Sequence, residues 1–163
     1  MSNEAVLIDS LSVVNQTQKI EVRIEIQKLT PDAQIPFRRR STDAGYDLHS
    51  IEDAVLDTGL ATIVRTGLAI AVPPGFYYTI EGRSSLWMKG IFPNRGVVDS
   101  TYCGESVVSL VNVSGKPFTI NKGDRIAQLI LHRQYDANFV PIDGQFSELY
   151  NQRGTEGFGS SGK

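Results

Sequence analysis

Apolar and polar side chains alternate strictly along residues 20–27, and this pattern restricts the possible folds more than any other feature of the chain. The alternating residues are Ile20, Val22, Ile24 and Ile26 on one face and Glu21, Arg23, Glu25 and Gln27 on the other. A period of two is typical of a β-strand with one buried face. Similar apolar runs follow at 61–72, 76–80, 106–113, 118–120 and 125–132. Turn-forming segments separate several of them: Pro73-Pro74-Gly75, Ser114-Gly115-Lys116-Pro117 and Lys122-Gly123-Asp124. The spacing predicts an all-β sandwich or barrel.

One short helix is predicted near Ser84–Lys89, where Gly82-Arg83-Ser84-Ser85 supplies an N-cap. The 163 residues suffice for one domain with a real core. Residues 1–19 lack a clean period and are interpreted as an N-terminal extension without an assigned role. We expect residues 20–150 to form the β domain, followed by a Gly-rich segment at 151–163.

Composition and charge narrow the classes of function. There is no apolar run long enough for a membrane span and no basic-then-apolar N-terminus, so we expect a cytoplasmic protein that does not bind membranes. Cys103 is the only cysteine, and with His49 and His132 it cannot build a tetrahedral zinc site, so any metal must be held mainly by oxygen. The net charge of −2 gives no general attraction to nucleic acid. A small anionic ligand bound by local groups remains possible.

The C-terminal segment NQRGTEGFGSSGK has four glycines and one large apolar residue, Phe158. Such a segment cannot bury enough surface to order itself, so we expect it to be mobile unless a ligand holds it. No strand-to-helix context surrounds its G-x-G-x-x-G pattern, which excludes a dinucleotide-binding turn. Arg153, the two hydroxyls of Ser160 and Ser161, and the Phe158 ring could close over a nucleotide. A plain disordered tail is the alternative interpretation.

Two internal segments could carry chemistry. In Gly82-Arg83-Ser84-Ser85-Leu86, hydroxyls and backbone N–H groups gather beside an arginine, which suits a polyphosphate. The alternative is that Ser84 merely caps the helix. Residues 94–105 are expected to form a hairpin whose turn presents Asp99 and Tyr102, and Asp99 could accept a proton from water. An Asp at a turn is also commonly a backbone-bonding residue.

Three further segments are ambiguous when each is taken alone. Residues 44–48 and 123–130 could each be a strand edge with satisfied polar groups. Arg38-Arg39-Arg40 could be a solvated face.

The order of these segments is more specific than any one of them. The five segments are AGYDL at 44–48, GRSSL at 82–86, GVVDSTYCGE at 96–105, GDRIAQLI at 123–130 and RGTEGFGSSG at 153–162. In this order they resemble the five motifs of the trimeric dUTPase family. The resemblance implies a jelly-roll homotrimer that hydrolyses dUTP to dUMP and pyrophosphate, limiting uracil in DNA and supplying dUMP. It also implies three active sites, each built from motifs of more than one subunit.

The resemblance also implies roles for single residues. Asp99 resembles the base that activates water for attack on the α-phosphorus, and Asp47 resembles a supporting acid near the metal-bound phosphates. Tyr102 resembles the ring that packs on the deoxyribose and excludes a 2′-hydroxyl. The backbone of Gly96, Val97 and Val98 would bind the uracil edge, in a narrow hairpin that also has no space for the thymine methyl. The implied phosphate ligands are Arg83, Ser84, Ser85 and Gln128.

The C-terminal motif and the metal complete the implied site. Arg153 would reach the γ-phosphate, Phe158 would cover the uracil, and Gly159, Ser160 and Ser161 would close over the phosphates. The implied cofactor is Mg²⁺, held mainly by substrate phosphates and water, with Asp47 contributing through a water.

Some positions depart from the family pattern, and two other functions remain open. Trp87 stands where a small residue is usual, Thr101 where an acidic or small one is frequent, and Cys103 where arginine is common. The related dCTP deaminases share the fold but need a glutamate at the position that aligns with Ser109. A regulatory nucleotide-binding module on the same fold is the other alternative.

Overall fold

The computed structural model describes residues 21–144. The extension 1–19 and the segment 151–163, with Arg153, Phe158, Gly159, Ser160 and Ser161, lie outside the described residues. Within them the chain forms eleven strands and one short helix, α1 at Ser84–Trp87. The strands are β1 Glu25–Lys28, β2 Tyr46–His49, β3 Ala54–Leu56, β4 Ala61–Val64, β5 Leu68–Ala71, β6 Phe76–Glu81, β7 Ile91–Pro93, β8 Gly96–Asp99, β9 Val108–Asn112, β10 Phe118–Ile120 and β11 Arg125–Arg133. The predicted all-β fold is confirmed. No helix in this part of the chain is long and apolar enough to cross a membrane.

The strands pair antiparallel in four small sheets. A four-stranded sheet has the order β2-β11-β6-β8, and a three-stranded sheet has the order β4-β9-β7. Two ribbons, β1-β5 and β10-β3, complete the set. The nine-residue β11 lies inside the larger sheet and pairs with β2 along its first half and β6 along its second. This arrangement matters for the site because β2, β6, β8 and β11 carry most of the candidate residues.

Strand pairing explains where the predicted strands were too long. The run at 61–72 is divided into β4 and β5, since Gly67 adopts φ +69° between them. Only three of the alternating residues near the N-terminus, Glu25, Ile26 and Gln27, enter a strand, because β1 pairs with the four residues of β5 and residues 21–24 have no strand partner. The predicted strand at 118–120 coincides with β10.

A single apolar core joins the sheets. Its fully buried side chains include Tyr78, Leu48, Leu56, Leu68, Ile70, Ile91, Leu110, Ile120 and Ile126. Burying one such side chain contributes about 1.5–3 kcal/mol, so these residues supply the main favourable term for folding. Asn112 is also buried, and its amide nitrogen donates to the carbonyls of Leu56 at 2.7 Å and Lys116 at 2.8 Å. These bonds tie the end of β9 to β3 and to the next turn.

The short helix is confirmed, but its predicted cap is wrong. The N-cap position is Arg83, it has extended dihedral angles, and no side chain caps the helix. Ser84 is therefore the first helical residue and not the cap. The helix ends earlier than predicted because Lys89 and Gly90 donate to carbonyls three residues back, and Gly90 turns the chain with φ +74°.

His49 at the end of β2 is a buried titratable group. Its side chain stacks on Phe37 with 5.8 Å between ring centroids, and Nδ1 has no hydrogen-bond partner among the described residues. Burial lowers the pKa of His49 below its ordinary value of 6.5, although the nearby Asp47 carboxylate acts in the opposite direction. Folding therefore favours the neutral imidazole.

This burial predicts a pH dependence of stability. Between the folded and unfolded pKa values of His49 the unfolded chain binds more protons, so the free energy of unfolding falls as pH falls below about 6.5. His49→Phe keeps an aromatic ring and should remove this slope, which amounts to at most about 1.4 kcal/mol per pH unit. Urea unfolding of both proteins at about pH 7.5 and about pH 5.5 measures it. Equal losses of stability in the two proteins would contradict this role.

Candidate active site

One cleft of the structure is rich in arginine. It has a volume of about 470 Å³ and contains five arginines against two carboxylates. Its lining residues are Arg38, Arg39, Arg40, Asp43, Gly45, Asp47, Arg83, Ser84, Ser85, Arg125 and Gln128. This excess of positive charge favours an anionic ligand. The cleft unites the residues predicted from the first, second and fourth motifs with the Arg38-Arg39-Arg40 run.

Asp47 organises two of these arginines. One carboxylate oxygen accepts from Arg83 Nε at 2.9 Å and the other accepts from Arg125 Nη1 at 3.2 Å. Arg83 also donates to the Arg125 carbonyl at 3.2 Å. The Asp47 side chain is only 16% exposed, so the pairs are less screened than surface ion pairs. Asp47 therefore holds guanidinium groups at the cleft.

The Arg38-Arg39-Arg40 run supplies charge from another side. Arg38 lies over the Tyr46 ring at 5.0 Å and donates to the Asp43 carbonyl. Arg39 and Arg40 form no salt bridge within residues 21–144. Their charge is therefore available to a bound anion.

Gln128 fixes the loop before the helix. It pairs in register with both Asp47 and Glu81, and its amide nitrogen donates to the Gly82 carbonyl at 2.7 Å. A side chain on Gly45 would overlap the Gln128 amide, which explains the glycine in AGYDL. The observed contact of Gln128 is thus to the GRSSL loop.

Ser84 and Ser85 are exposed at the start of α1 and line the cleft. The first N–H groups of a helix have no intrahelical acceptor, so each serine offers a hydroxyl and a backbone donor. Leu86 is buried and anchors this turn to the core. The loop therefore presents several donors without relying on a long helix dipole.

A second and more apolar cleft, the slot, has a volume of about 240 Å³. It is lined by Ile80, Gly96, Val97, Val98, Asp99, Tyr102, Glu105, Ser106 and Val107. The near wall is β8, which pairs with β6 from Gly96 to Asp99. The far wall is residues 105–107. A planar base with one polar edge fits such a site.

The predicted hairpin at 94–105 is wrong in its pairing. Strand β8 pairs with β6, while Glu105 bridges to Ala69 and Ser106 N donates to the Leu68 carbonyl at 2.7 Å. The two walls are therefore bonded to different neighbours, and this separation opens the slot. The turn between them is closed by Tyr102 N donating to the Asp99 carbonyl at 3.1 Å.

Tyr102 and Asp99 stand at the same end of the slot. The Tyr102 hydroxyl donates to the Glu105 carbonyl at 3.1 Å, and a side chain on Gly104 would overlap that hydroxyl. Asp99 is exposed at the end of β8, and its carboxylate makes no hydrogen bond or salt bridge within the described part of the chain. It is free to act on a bound molecule.

A single chain does not bring all predicted site residues together. Asp99 lies opposite Tyr77 on β6, whereas Asp47 aligns with Gln128 and Glu81 at the other end of that strand. Four residues along the strand and three strand spacings put Asp99 and Asp47 on the order of 20 Å apart. The slot and the arginine-rich cleft also share no lining residue.

Sequence reasoning missed several residues that shape the site. Arg125 stands inside a recognised segment but had no role, although its place directly after the turn at 122–124 puts it at the start of β11. Glu105, Ser106 and Tyr78 were also missed. Their side chains contact residues 28 to 40 positions away in the sequence. A local sequence pattern does not predict contacts over such separations.

Comparisons with known proteins agree with this geometry. The dUTPase family model matches residues 31–162. The deoxyuridine 5'-triphosphate nucleotidohydrolase of Kluyveromyces lactis is 40% identical over 149 residues, covering 90% of this chain and 99% of the relative. The enzyme of the same name from Thermobifida fusca is 42% identical over 145 residues, covering 86% and 79%.

Solved structures give the same assignment. Staphylococcus bacteriophage 80alpha dUTPase with dUPNHPP has a TM-score of 0.75 and 26% identity, covering 86% of this chain and 99% of the phage chain. The jelly-roll fold expected from the resemblance is confirmed. By its sequence motifs, its fold and these relatives, the chain belongs to the dUTPase family.

Proposed function

We propose that this chain hydrolyses dUTP to dUMP and pyrophosphate in sites shared between the subunits of a homotrimer. The observation that carries the proposal is the pair of complementary clefts. One is an apolar slot with backbone groups along one wall and a free carboxylate at its end, and the other holds five arginines. A pyrimidine nucleoside triphosphate needs both kinds of surface. The role in limiting uracil in DNA and the cytoplasmic location remain predictions.

Uracil would bind against the free edge of β8. The other edge of Gly96, Val97 and Val98 pairs with β6, so the N–H and C=O groups facing the slot have no strand partner. These groups can bond the polar edge of the base. The ring of Tyr102, 46% exposed, is then available to pack on the sugar.

Asp99 would act as the general base. Its carboxylate takes a proton from water, and the water oxygen attacks the α-phosphorus. The bond from the α-phosphorus to the oxygen that bridges to the β-phosphorus breaks, and that oxygen leaves with pyrophosphate. The arginines beside Asp47 stabilise the charge that develops on this leaving group.

Distance and symmetry support the shared site. Asp99 and Asp47 of one chain lie too far apart to serve the same phosphates, whereas a ring of identical subunits repeats the contact between the slot of one and the arginine-rich cleft of the next. Asp99 of one subunit then meets Arg83, Ser84, Ser85 and Gln128 of its neighbour.

The arginine-rich cleft fits a Mg²⁺ that arrives with the substrate. No three His, Cys, Asp or Glu side chains could hold a metal within residues 21–144, and both Asp47 oxygens accept from arginines. Asp47 would therefore reach the ion through a water, with phosphate oxygens as the main ligands. When bound, Mg²⁺ neutralises phosphate charge. The dUTPase from phage phi11 of S. aureus is described with a structural Mg(II) ion.

The segment 151–163 would close the site as a lid, with Arg153 on the γ-phosphate and Phe158 on the base. Its hydroxyls and backbone groups at 159–161 would cover the phosphates and exclude bulk water. Residues 20–150 would form the catalytic domain. The composition of the segment supports this role, since only a ligand can offset the entropy lost on ordering four glycines.

Deamination is not favoured. Ser109, at the position where a deaminase needs its glutamate, lies on β9 opposite Ile63 and lines neither cleft. A regulatory module without catalysis has no specific support, because the free carboxylate of Asp99 is present at the slot.

Replacing Asp99 tests the base. Asp99→Asn should bind a non-hydrolysable dUTP analogue as the parent does but lose roughly three or more powers of ten in kcat, because the amide cannot accept the proton. Calorimetry and pyrophosphate release measure the two quantities. Asp57→Asn, at an exposed carboxylate between β3 and β4, is the matched control and should keep full turnover. Near-parental turnover of Asp99→Asn would remove Asp99 from this role.

Replacing Tyr102 tests sugar selection. Tyr102→Ala should reduce the ratio of kcat/KM for dUTP to that for UTP by roughly tenfold, since the space for a 2′-hydroxyl opens. Tyr102→Phe keeps the ring and loses only the bond to Glu105, so it should retain most of the preference. If neither variant moves the ratio, another group selects the sugar.

A further inference from the structure

The far wall of the slot is held by residues 65–67 and by the first residue of β5, Leu68. Ser106 N donates to the Leu68 carbonyl at 2.7 Å, and Thr66 Oγ1 donates to the Ser106 carbonyl at 2.7 Å. The Glu105 carboxylate accepts from Gly67 N at 2.7 Å and from Arg65 Nε at 3.0 Å. Both backbone groups of Ser106 are thus satisfied by residues 66–68. Only its side chain is left to contact the sheet that carries the near wall.

The near wall is carried by β6. Tyr78 on β6 lies directly opposite Val98, and its side chain shares a face with that of Ile80, which lines the slot. The Tyr78 side chain is fully buried, and its hydroxyl lies 2.7 Å from Ser106 Oγ. Among residues 21–144, this is the one side-chain hydrogen bond that joins residues 105–107 to β6.

We propose that Tyr78 and Ser106 are positioning residues that set the width of the slot and thereby the discrimination between dUTP and dTTP. The inference rests on the proposed function, since it assigns the specificity of that same slot. Neither residue was singled out by the sequence, and Tyr78 itself does not line the slot.

A site that distinguishes dUTP from dTTP has to respond to the shape of the base. Uracil and thymine carry the same polar groups, and they differ only by the methyl group at C5 of thymine. Hydrogen bonds from β8 therefore cannot separate the two bases, and rejection of thymine has to come from the distance between the walls. Close-packed protein interiors respond to a single added methylene, provided that the surrounding groups cannot move apart.

The Tyr78 to Ser106 bond is suited to hold that distance. Ser106 is 2% exposed, so water does not compete for its hydroxyl. Burial raises the pKa of Tyr78, which keeps the phenol neutral and able to hydrogen-bond. The far wall is otherwise bonded to residues 65–69 and, through the Glu105 carbonyl, to Tyr102 in the turn that precedes it. The loss of the Tyr78 to Ser106 bond therefore lets the wall move away from β8 without unfolding the domain.

Three variants test the proposal by the ratio of kcat/KM for dUTP to that for dTTP. Tyr78→Phe and Ser106→Ala each remove one end of the bond and should lower the ratio by about tenfold, chiefly by raising kcat/KM for dTTP. The double variant should show the same reduction as either single variant, because all three lack the same bond. Tyr77→Phe is the matched control. It removes a hydroxyl from the adjacent residue, whose ring stacks on His132, and should leave the ratio unchanged.

The Tm of each variant distinguishes an effect on slot width from a general loss of stability. Each single variant leaves one buried hydroxyl without a partner, whereas the double variant leaves none, so its Tm should partly recover while the ratio stays low. The proposal is overturned if the ratio of all three variants stays within about twofold of the parent, a change too small to reflect a lost methyl clash. It is also overturned if the ratio follows Tm, or if Tyr77→Phe lowers it equally. If the parent protein releases no pyrophosphate from dUTP, the proposed function is wrong and this inference falls with it.

Discussion

The pairing of β6 with β8 on one side and β11 on the other is the constraint on which the rest of the structure depends. It places the free edge of β8 at one end of the sheet and the Asp47, Arg83 and Gln128 group at the other. The walls of the slot stay apart because β8 takes its bonds from β6 and residues 105–107 take theirs from residues 66–69. The same register keeps Asp99 and Asp47 of one chain apart, and for this reason the proposed function places each site between two subunits.

The two clefts differ in the charged groups that surround their carboxylates. Asp47 is half-buried among cations and uses both oxygens to hold Arg83 and Arg125. Under the proposed function, this contact prepares a site for phosphates. A preorganised set of charges needs little rearrangement as the leaving group gains charge, which is where such a site lowers the barrier. Asp99 has no such partner within the described residues. The two carboxylates therefore differ in their surroundings, and the proposed function gives them different roles for this reason.

Much of the fold could be predicted from local patterns, but the site only in part. Alternation near Ile26 and the turns at Gly115 and Gly123 indicate strands because strand geometry and turn conformations are local properties. The order of the motifs selects Asp99, Arg83 and Gln128 as candidates, and each of them lines one of the two clefts. The pairing of residues 94–105 could not be predicted, since a hairpin and an open slot have the same local pattern. The Tyr78 to Ser106 bond and the two arginines on Asp47 are long-range contacts, and they depend on the register of whole strands.

Each active site is proposed to combine Asp99 of one subunit with Arg83 of another, and mixed trimers test this arrangement most directly. Asp99→Asn and Arg83→Ala chains, each inactive alone, would be unfolded together, refolded as a mixture and assayed for pyrophosphate release from dUTP. Random assortment in a cyclic trimer should restore about a quarter of the parental activity, because a quarter of the sites receive both intact residues. A mixture no more active than either variant alone would contradict the shared site and place both residues in the same chain's site.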